Sequence, residues 1–300
     1  MPLNYFNFAH GFTKQTNFMK TFLSIALILS SFAALAQVRT PSPSPAGSVS
    51  TVVGLTDVKI DYSRPRIKGR KIFGDGTGFV TPYGAIWRTG ANDGTKITFS
   101  DEVTVEGVKI PAGTYLIYTW PGASEWTVSF YKDLDLGGDY EKYDKTKEAA
   151  NFKVKSEKLA EKIETLTFNI GDISDDSKTA KVQLAWENTS VKFGVAVDYD
   201  ARVMKSIEAS TKVNPGNYFQ AAVYYLENGK DLKQAHEWIA KAADANPKAF
   251  WIYYQKARIE KALGDKAGAL ASSKKSWEEA TAAKNRDYVA MNEELQKSLK

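Results

Sequence analysis

The chain has 300 residues, enough for two domains of ordinary size, and at 43% hydrophobic and 12% aromatic it carries enough apolar side chain to bury a core. Its formal charge of +5 falls to +3 once Lys14 and Lys20 are set aside, leaving 38 basic against 35 acidic residues, too weak an imbalance for a general nucleic-acid binder. The absence of cysteine excludes disulfides, thiolate nucleophiles and Cys-ligated zinc, while two histidines, His10 and His236, are too few and too far apart for a histidine metal site or a Ser-His-Asp triad.

The chain opens on an address. "MKTFLSIALILSSFAALAQ" joins a basic start at Lys20 to an apolar run over 22–29, and Ala34-Leu35-Ala36 fits signal-peptidase cleavage after Ala36. Residues 1–18 read as an upstream extension before the natural start, Met19, so 1–36 are expected to be extension and signal peptide. The apolar run is too short to span a bilayer, and no cysteine follows it to carry a lipid. The mature chain is expected to be periplasmic or secreted, without a transmembrane segment. Residues 37–49, with "TPSPSPAGS", form a stiff Pro/Ser-rich lead-in.

Residues 50–198 change texture to short runs of period two. Val58-Ile60-Tyr62, Ile97-Phe99, Leu166-Phe168-Ile170, Val182-Leu184-Trp186 and Val191-Phe193-Val195-Val197 each alternate with polar neighbours. "VTVEGVKI" predicts a hairpin turning at Glu106-Gly107. "PAGTYLIYTWPG" is a strand bracketed by turn residues, with "EWTVSFY" as its partner. Nine to eleven short strands without interleaved helices predict a mainly β N-terminal domain, an antiparallel β-sandwich or jelly roll. "FGDGTGF" over 73–79 reads as a hairpin tip. It lacks the Lys-Ser/Thr and helix of a phosphate loop, and one aspartate is too few for calcium. Residues 132–150 are polar, charged and Gly-containing, with at most a helical turn near their end. A loop of that length is functional or disordered.

Beyond Val197 the pattern turns helical. Residues 199–213 predict a connecting helix, and 214–300 hold a weak repeat in which Ala235 recurs as Ala269, 34 residues on. Small residues at Ala222, Ala235, Ala257 and Ala269 let paired helices approach closely, and the two units resemble tetratricopeptide repeats, with a closing helix near 283–299. The expected C-terminal fold is all-α helical hairpins, tetratricopeptide-like. Its aromatics, among them Tyr218, Tyr224, Trp238, Trp251 and Trp277, exceed what two repeats need for packing, which predicts a groove for an envelope protein or peptide partner. His236 reads as a surface residue.

"VGLTDVKIDYSRPRIKGRKIFG", "PYGAIWRTGANDGTKITFS", "VEGVKIPAGTYLIYTWPG" and "EWTVSFYK" together resemble the domain-of-unknown-function 2911 family over roughly residues 43–197. The resemblance implies a β-rich extracytoplasmic domain of diderm bacteria with no established activity, often followed by helical repeats. One departure stands in the long loop. Where the family pattern leads one to expect a Trp-Gly pair with a tyrosine after it, this chain has Leu136-Gly137-Gly138-Asp139-Tyr140, so no role of that tryptophan carries over.

The candidate chemistry centres on "DYSRPRIKGRKIF" and "WRTGAN". Tyr62, Arg64, Arg70, Trp87, Arg88, Thr89 and Asn92 are the candidate ligand-binding residues. A guanidinium offers a fixed fork of donors to planar anions, and aromatic faces accept cations or sugar rings. If the two segments lie side by side, they line one polar cleft for a glycan or a small anionic ligand. The competing reading has these arginines bridging Asp57, Asp61, Asp75, Asp93 or Glu102 to hold loops down. Tyr115, Tyr118, Trp120 and Trp126 read as core or rim. The sequence calls for no metal and no cofactor and singles out no catalytic residue. It fits a binding or scaffolding protein of the envelope. The alternative is an envelope hydrolase of polysaccharide using loop carboxylates such as Asp75, Asp93, Glu125, Asp133 and Asp135, among which no spacing picks out a pair.

Overall fold

A computed structural model of the protein describes residues 40–211 and 214–300. The signal peptide expected before Gln37 lies outside them. The described residues divide into two compact units, a β unit over 40–52, 56–172 and 180–195 and a helical unit over 53–55, 173–179, 196–211 and 214–300.

The β unit is built from β1 (Ala46–Val53), β2 (Thr56–Ser63), β3 (Phe73–Gly74), β4 (Thr81–Pro82), β5 (Thr95–Phe99), β6 (Val103–Val105), β7 (Val108–Ile110), β8 (Gly113–Trp120), β9 (Glu125–Tyr131), β10 (Glu148–Gly171) and β11 (Thr179–Val197). Nine of these hydrogen-bond in the order β1-β2-β5-β8-β9-β10-β11-β6-β7. Strand β10 makes two layers of this order. Its first part pairs with β9, from Glu148 opposite Tyr131 to Lys155 opposite Glu125. Its remainder pairs with β11, from Ser156 opposite Val191 to Gly171 opposite Lys181, with register shifts between Lys158 and Thr167. A strand that changes partners through bulges is how a sandwich turns its corner.

Period-two burial follows from the sequence. Val58, Ile60 and Tyr62 of β2 and Ile97 and Phe99 of β5 point inward, and their polar neighbours point out. Across the sandwich, Phe130 meets Phe193 at 5.6 Å and Tyr62 meets Phe168 at 4.9 Å between ring centroids. At one end Trp126, Trp87, Trp186 and Phe73 pack together, with Trp87 stacked on Trp186 at 5.8 Å. Each ring of this size removed from water contributes roughly 1.5–3 kcal/mol. The predicted hairpin forms with Val105 opposite Val108, and Glu106 and Gly107 both take positive φ, as a type I′ turn requires.

Two expectations need correction. The strands are not uniformly short, since β10 and β11 span 24 and 19 residues. Between Ser156 and Glu164 of β10 hardly any side chain is buried, so that stretch has no inward-facing period to be read. Residues 73–79 are no hairpin tip either, because β3 and β4 pair in parallel. The intervening loop folds back so that the Phe79 ring covers Gly74, where a Cβ would stand 2.3 Å from that ring.

The helical unit comprises α1 (Asp200–Thr211), α2 (Tyr218–Glu227), α3 (Leu232–Ala245), α4 (Phe250–Ala262), α5 (Lys266–Ala282) and α6 (Arg286–Lys297). The 34-residue step has a local cause. Asp231 and Asp265 are the N-caps of α3 and α5, accepting from Lys233 and Gln234 N–H and from Gly268 N–H. Ahead of them, α2 and α4 end in the same way, with Lys230 N–H bonded to Tyr225 O and Asp265 N–H to Glu260 O around left-handed Gly229 and Gly264. Ala222, Ala235, Ala257 and Ala269 are fully buried, which lets the helices approach. No helix among the described residues is long and apolar enough to cross a membrane.

Candidate functional site

The loop over residues 87–94 carries the most unusual backbone of the β unit. Thr89 and Asn92 have φ of 56° each and Gly94 has φ of 88°. A β-branched residue in the left-handed region is a true outlier, costing about 1–3 kcal/mol, and it persists only where its surroundings force it. Here they do. Trp87 exchanges two backbone hydrogen bonds with Thr119, at 2.8 and 2.9 Å. The Thr89 hydroxyl lies 3.1 Å from that of Thr119, and Thr95 donates to Thr89 O at 2.6 Å. Trp87 itself donates through Nε1 to Gly90 O at 3.0 Å. Trp87 and Thr89 are therefore fixed in the core, with Arg88 projecting between them.

Arg88 is half-buried, and its Nε is wholly buried without a hydrogen-bond partner. Its side chain runs along Gly138, where a Cβ would stand 2.2 Å from Arg88 Nη1. Its backbone N–H donates to the Tyr140 hydroxyl at 3.2 Å. No carboxylate among the described residues pairs with it. This is the face covered by residues 132–147. Two short 3₁₀ turns, Tyr140–Lys142 and Lys145–Lys147, carry Tyr140 and Tyr143 onto Leu116, Tyr118 and Tyr131 of β8 and β9. Tyr118 donates to Gly137 O at 2.6 Å, and Tyr143 donates to Ser129 Oγ or Glu148 Oε1, at 2.7 and 2.8 Å. Burial pushes the Tyr118 and Tyr143 phenols well above their ordinary range, so both stay protonated donors.

The other candidates separate into different places. Tyr62 is in the core, its hydroxyl accepting from Phe168 N–H at 3.2 Å. Arg70 is exposed and folds back on its own loop, donating to Arg66 O at 2.6 Å and Ile67 O at 3.1 Å. Asn92 donates to Ser63 Oγ at 3.0 Å and Ser44 O at 3.4 Å. Arg64 sits at that same corner, its N–H bonded to Pro45 O and its buried Nε unpartnered. Arg64 and Asn92 share a corner, Arg88 shares a site with tyrosines, and Arg70 joins neither by any contact. Among the described residues, Arg64, Arg70 and Arg88 do not bridge to the carboxylates nearby. Asp61 pairs instead with Lys59 and Glu102 with Lys109.

Of the loop acids, Glu125 pairs with Lys153 and Asp133 with Lys147. The hydrogen bond from Lys147 holds the Asp133 carboxyl below its ordinary value, the opposite of what a general acid needs. Among the described residues no cluster of three His, Asp or Glu could hold a metal. In the helical unit a groove of about 770 Å³ lies between α1 and α2, lined by Arg202, Ser206, Ile207, Gln220 and Tyr224 among others. His236 is half-exposed and contacts the buried Glu260 at 3.2 Å.

Tyr140 and Gly138 are the residues that sequence reasoning missed. The only signal was the Gly-Gly-Asp-Tyr stretch at which this chain departs from the expected pattern. A family model described as a protein of unknown function, DUF2911, matches residues 44–195. No curated protein and no solved structure matches the chain.

Proposed function

The chain belongs to the DUF2911 family of proteins of unknown function, and from that premise we propose that it is an envelope binding protein that holds an anionic ligand at Arg88. The observation that carries this reading is the state of that side chain. Its Nε is buried and unpartnered, its guanidinium meets no acceptor among the described residues, and a strained loop aims it. A buried donor without an acceptor costs about 1–3 kcal/mol. A conformational cost at Thr89 spent on presenting it is the signature of a binding site rather than of packing. In the same reading the helical unit, with its tetratricopeptide-like repeat, engages a protein partner, and the signal peptide delivers the chain to the periplasm or beyond.

The test is thermal melting of the protein at constant ionic strength with acetate, sulfate or phosphate against chloride, because a ligand bound only to the folded state raises the midpoint by mass action. At least one of the three is expected to raise it for the wild type and not for Arg88→Met. Equal responses of the two proteins, or none from either, would remove the reading.

A further inference from the structure

We infer that Arg88, Tyr140 and the backbone at Gly138 form a carboxylate site, selective for a monoanion carried on a ring-shaped body. This rests on the reading of Arg88 as an anion binder and adds the ligand class and the residues that set it.

The charge count decides between carboxylate and phosphate. The covering segment, residues 132–147, carries five carboxylates against four lysines, so it adds no net positive charge. Lys147 meets Asp133 at 2.7 Å, and Lys142 meets Asp139 at 2.7 Å. What remains beside the tyrosines is the single positive charge of Arg88. One guanidinium matches one carboxylate, oxygen for nitrogen, in a bidentate pair. A phosphate dianion would be left half-compensated.

The second donor is the Tyr140 hydroxyl. It accepts from Arg88 N–H, and its own proton meets no acceptor among the described residues. The Tyr140 hydroxyl meets Arg88 at its backbone N–H, and the Arg88 head runs along Gly138, two residues before Tyr140. Gly138 is a requirement of that path, since any side chain there displaces the guanidinium. The surroundings are aromatic. Tyr118 and Tyr140 meet edge to face at 6.3 Å, and Tyr143 lies 5.3 Å from Tyr118. Tyr118 is buried beneath them, and the half-buried rings of Tyr140 and Tyr143 suit a body with a flat apolar face, as a sugar acid or an aromatic acid has, better than a bare inorganic ion.

The experiment is calorimetric titration of the full-length protein with glucuronate, benzoate, glucose and inorganic phosphate, for the wild type, Arg88→Lys, Tyr140→Phe and Gly138→Ala. Glucuronate or benzoate is expected to saturate, and whichever binds tighter identifies the body. Arg88→Lys keeps the charge but loses the fork, and should weaken that binding about tenfold or more. Tyr140→Phe removes one hydrogen bond and should weaken it roughly threefold to tenfold, with the melting temperature serving as a check that the loop still folds. Gly138→Ala should weaken it by displacing Arg88 even though no polar group is lost. Carboxylate binding that ignores Tyr140→Phe and Gly138→Ala overturns this inference and leaves the anion reading standing. Phosphate binding tighter than either acid does the same. Glucose binding as well as glucuronate, or no binding by any probe, overturns both.

Discussion

Replacing Arg88 by methionine should make the protein more stable, not less. The Arg88 backbone bonds, N–H to the Tyr140 hydroxyl and O from Thr95 N–H, survive any side-chain change. Its methylenes run along Gly138, and methionine, unbranched and of similar reach, keeps most of that contact. What disappears is the buried Nε–H with no acceptor, worth about 1–3 kcal/mol of penalty. Since the head is only half-buried, a net gain of about 1–2 kcal/mol is expected. For a unit of this size that raises the melting temperature by about 2–6 °C. Differential scanning calorimetry of the two proteins in chloride buffer measures it. A structural arginine behaves the other way, because removing one partner of a buried pair destabilises strongly. A melting temperature lowered by several degrees in Arg88→Met would therefore refute the claim that this side chain is held ready for a ligand.

Three further outcomes follow from other parts of the molecule. Asn292 is fully buried between α5 and α6, accepting from Ser273 Oγ at 2.9 Å and donating to Ser276 Oγ at 2.8 Å and Tyr288 O at 2.7 Å, so Asn292→Ala should cost the helical unit about 2–4 kcal/mol by urea unfolding, and a loss under 1 kcal/mol would refute it. Trp186→Ala, which empties the place stacked on Trp87, should cost the β unit about 3–5 kcal/mol and shift the near-ultraviolet circular dichroism of the remaining tryptophans. The hydrogen bond from Lys230, then that from Tyr224, holds the Asp200 carboxyl below its ordinary value. A depressed folded-state pKa gives stability that is present above the unfolded value, near 4, and is lost as the pH falls through the folded one. Asp200→Asn should flatten the acid limb of the helical unit's stability below about pH 4, and an unchanged limb would show that the pair contributes nothing.

The parts of this fold that could be read in advance are those where one chemical rule acts alone. β2 and β5 alternate because one side faces the core, and the 106–107 turn forms where Gly107 takes positive φ at no steric cost. The repeat spacing was visible because caps, glycines and alanines recur together. Where tertiary structure overrode the local pattern, the sequence misled or fell silent. The polar neighbours in "WRTGAN" suggest an exposed turn. Yet Trp87 makes a two-way bridge to Thr119 and is 6% exposed. Residues 156–164 of β10 are strand without any buried period. Most of the Arg88 site is of this second kind. Tyr140 reaches Arg88 across 52 positions only because residues 132–147 close over β8 and β9, and no local rule announces that closure.

The same contrast explains why position 89 is threonine where glycine would fit the backbone more cheaply. Glycine would relax the left-handed twist at once. It would also discard the contact with the Thr119 hydroxyl, and with it part of the hold on this turn. A loosened turn lets the Arg88 head swing into solvent, where a guanidinium is fully hydrated and an anion gains little by meeting it. Held by Trp87 on one side and Thr89 on the other, the head is kept beside Gly138, partly stripped of water before any ligand arrives. The ordering cost is then met by folding rather than by binding, which is the usual route by which a single arginine becomes selective. Strain at Thr89 and the missing acceptor at Arg88 are thus one feature seen twice, and Tyr140, whose hydroxyl accepts from Arg88 N–H, completes the proposed site.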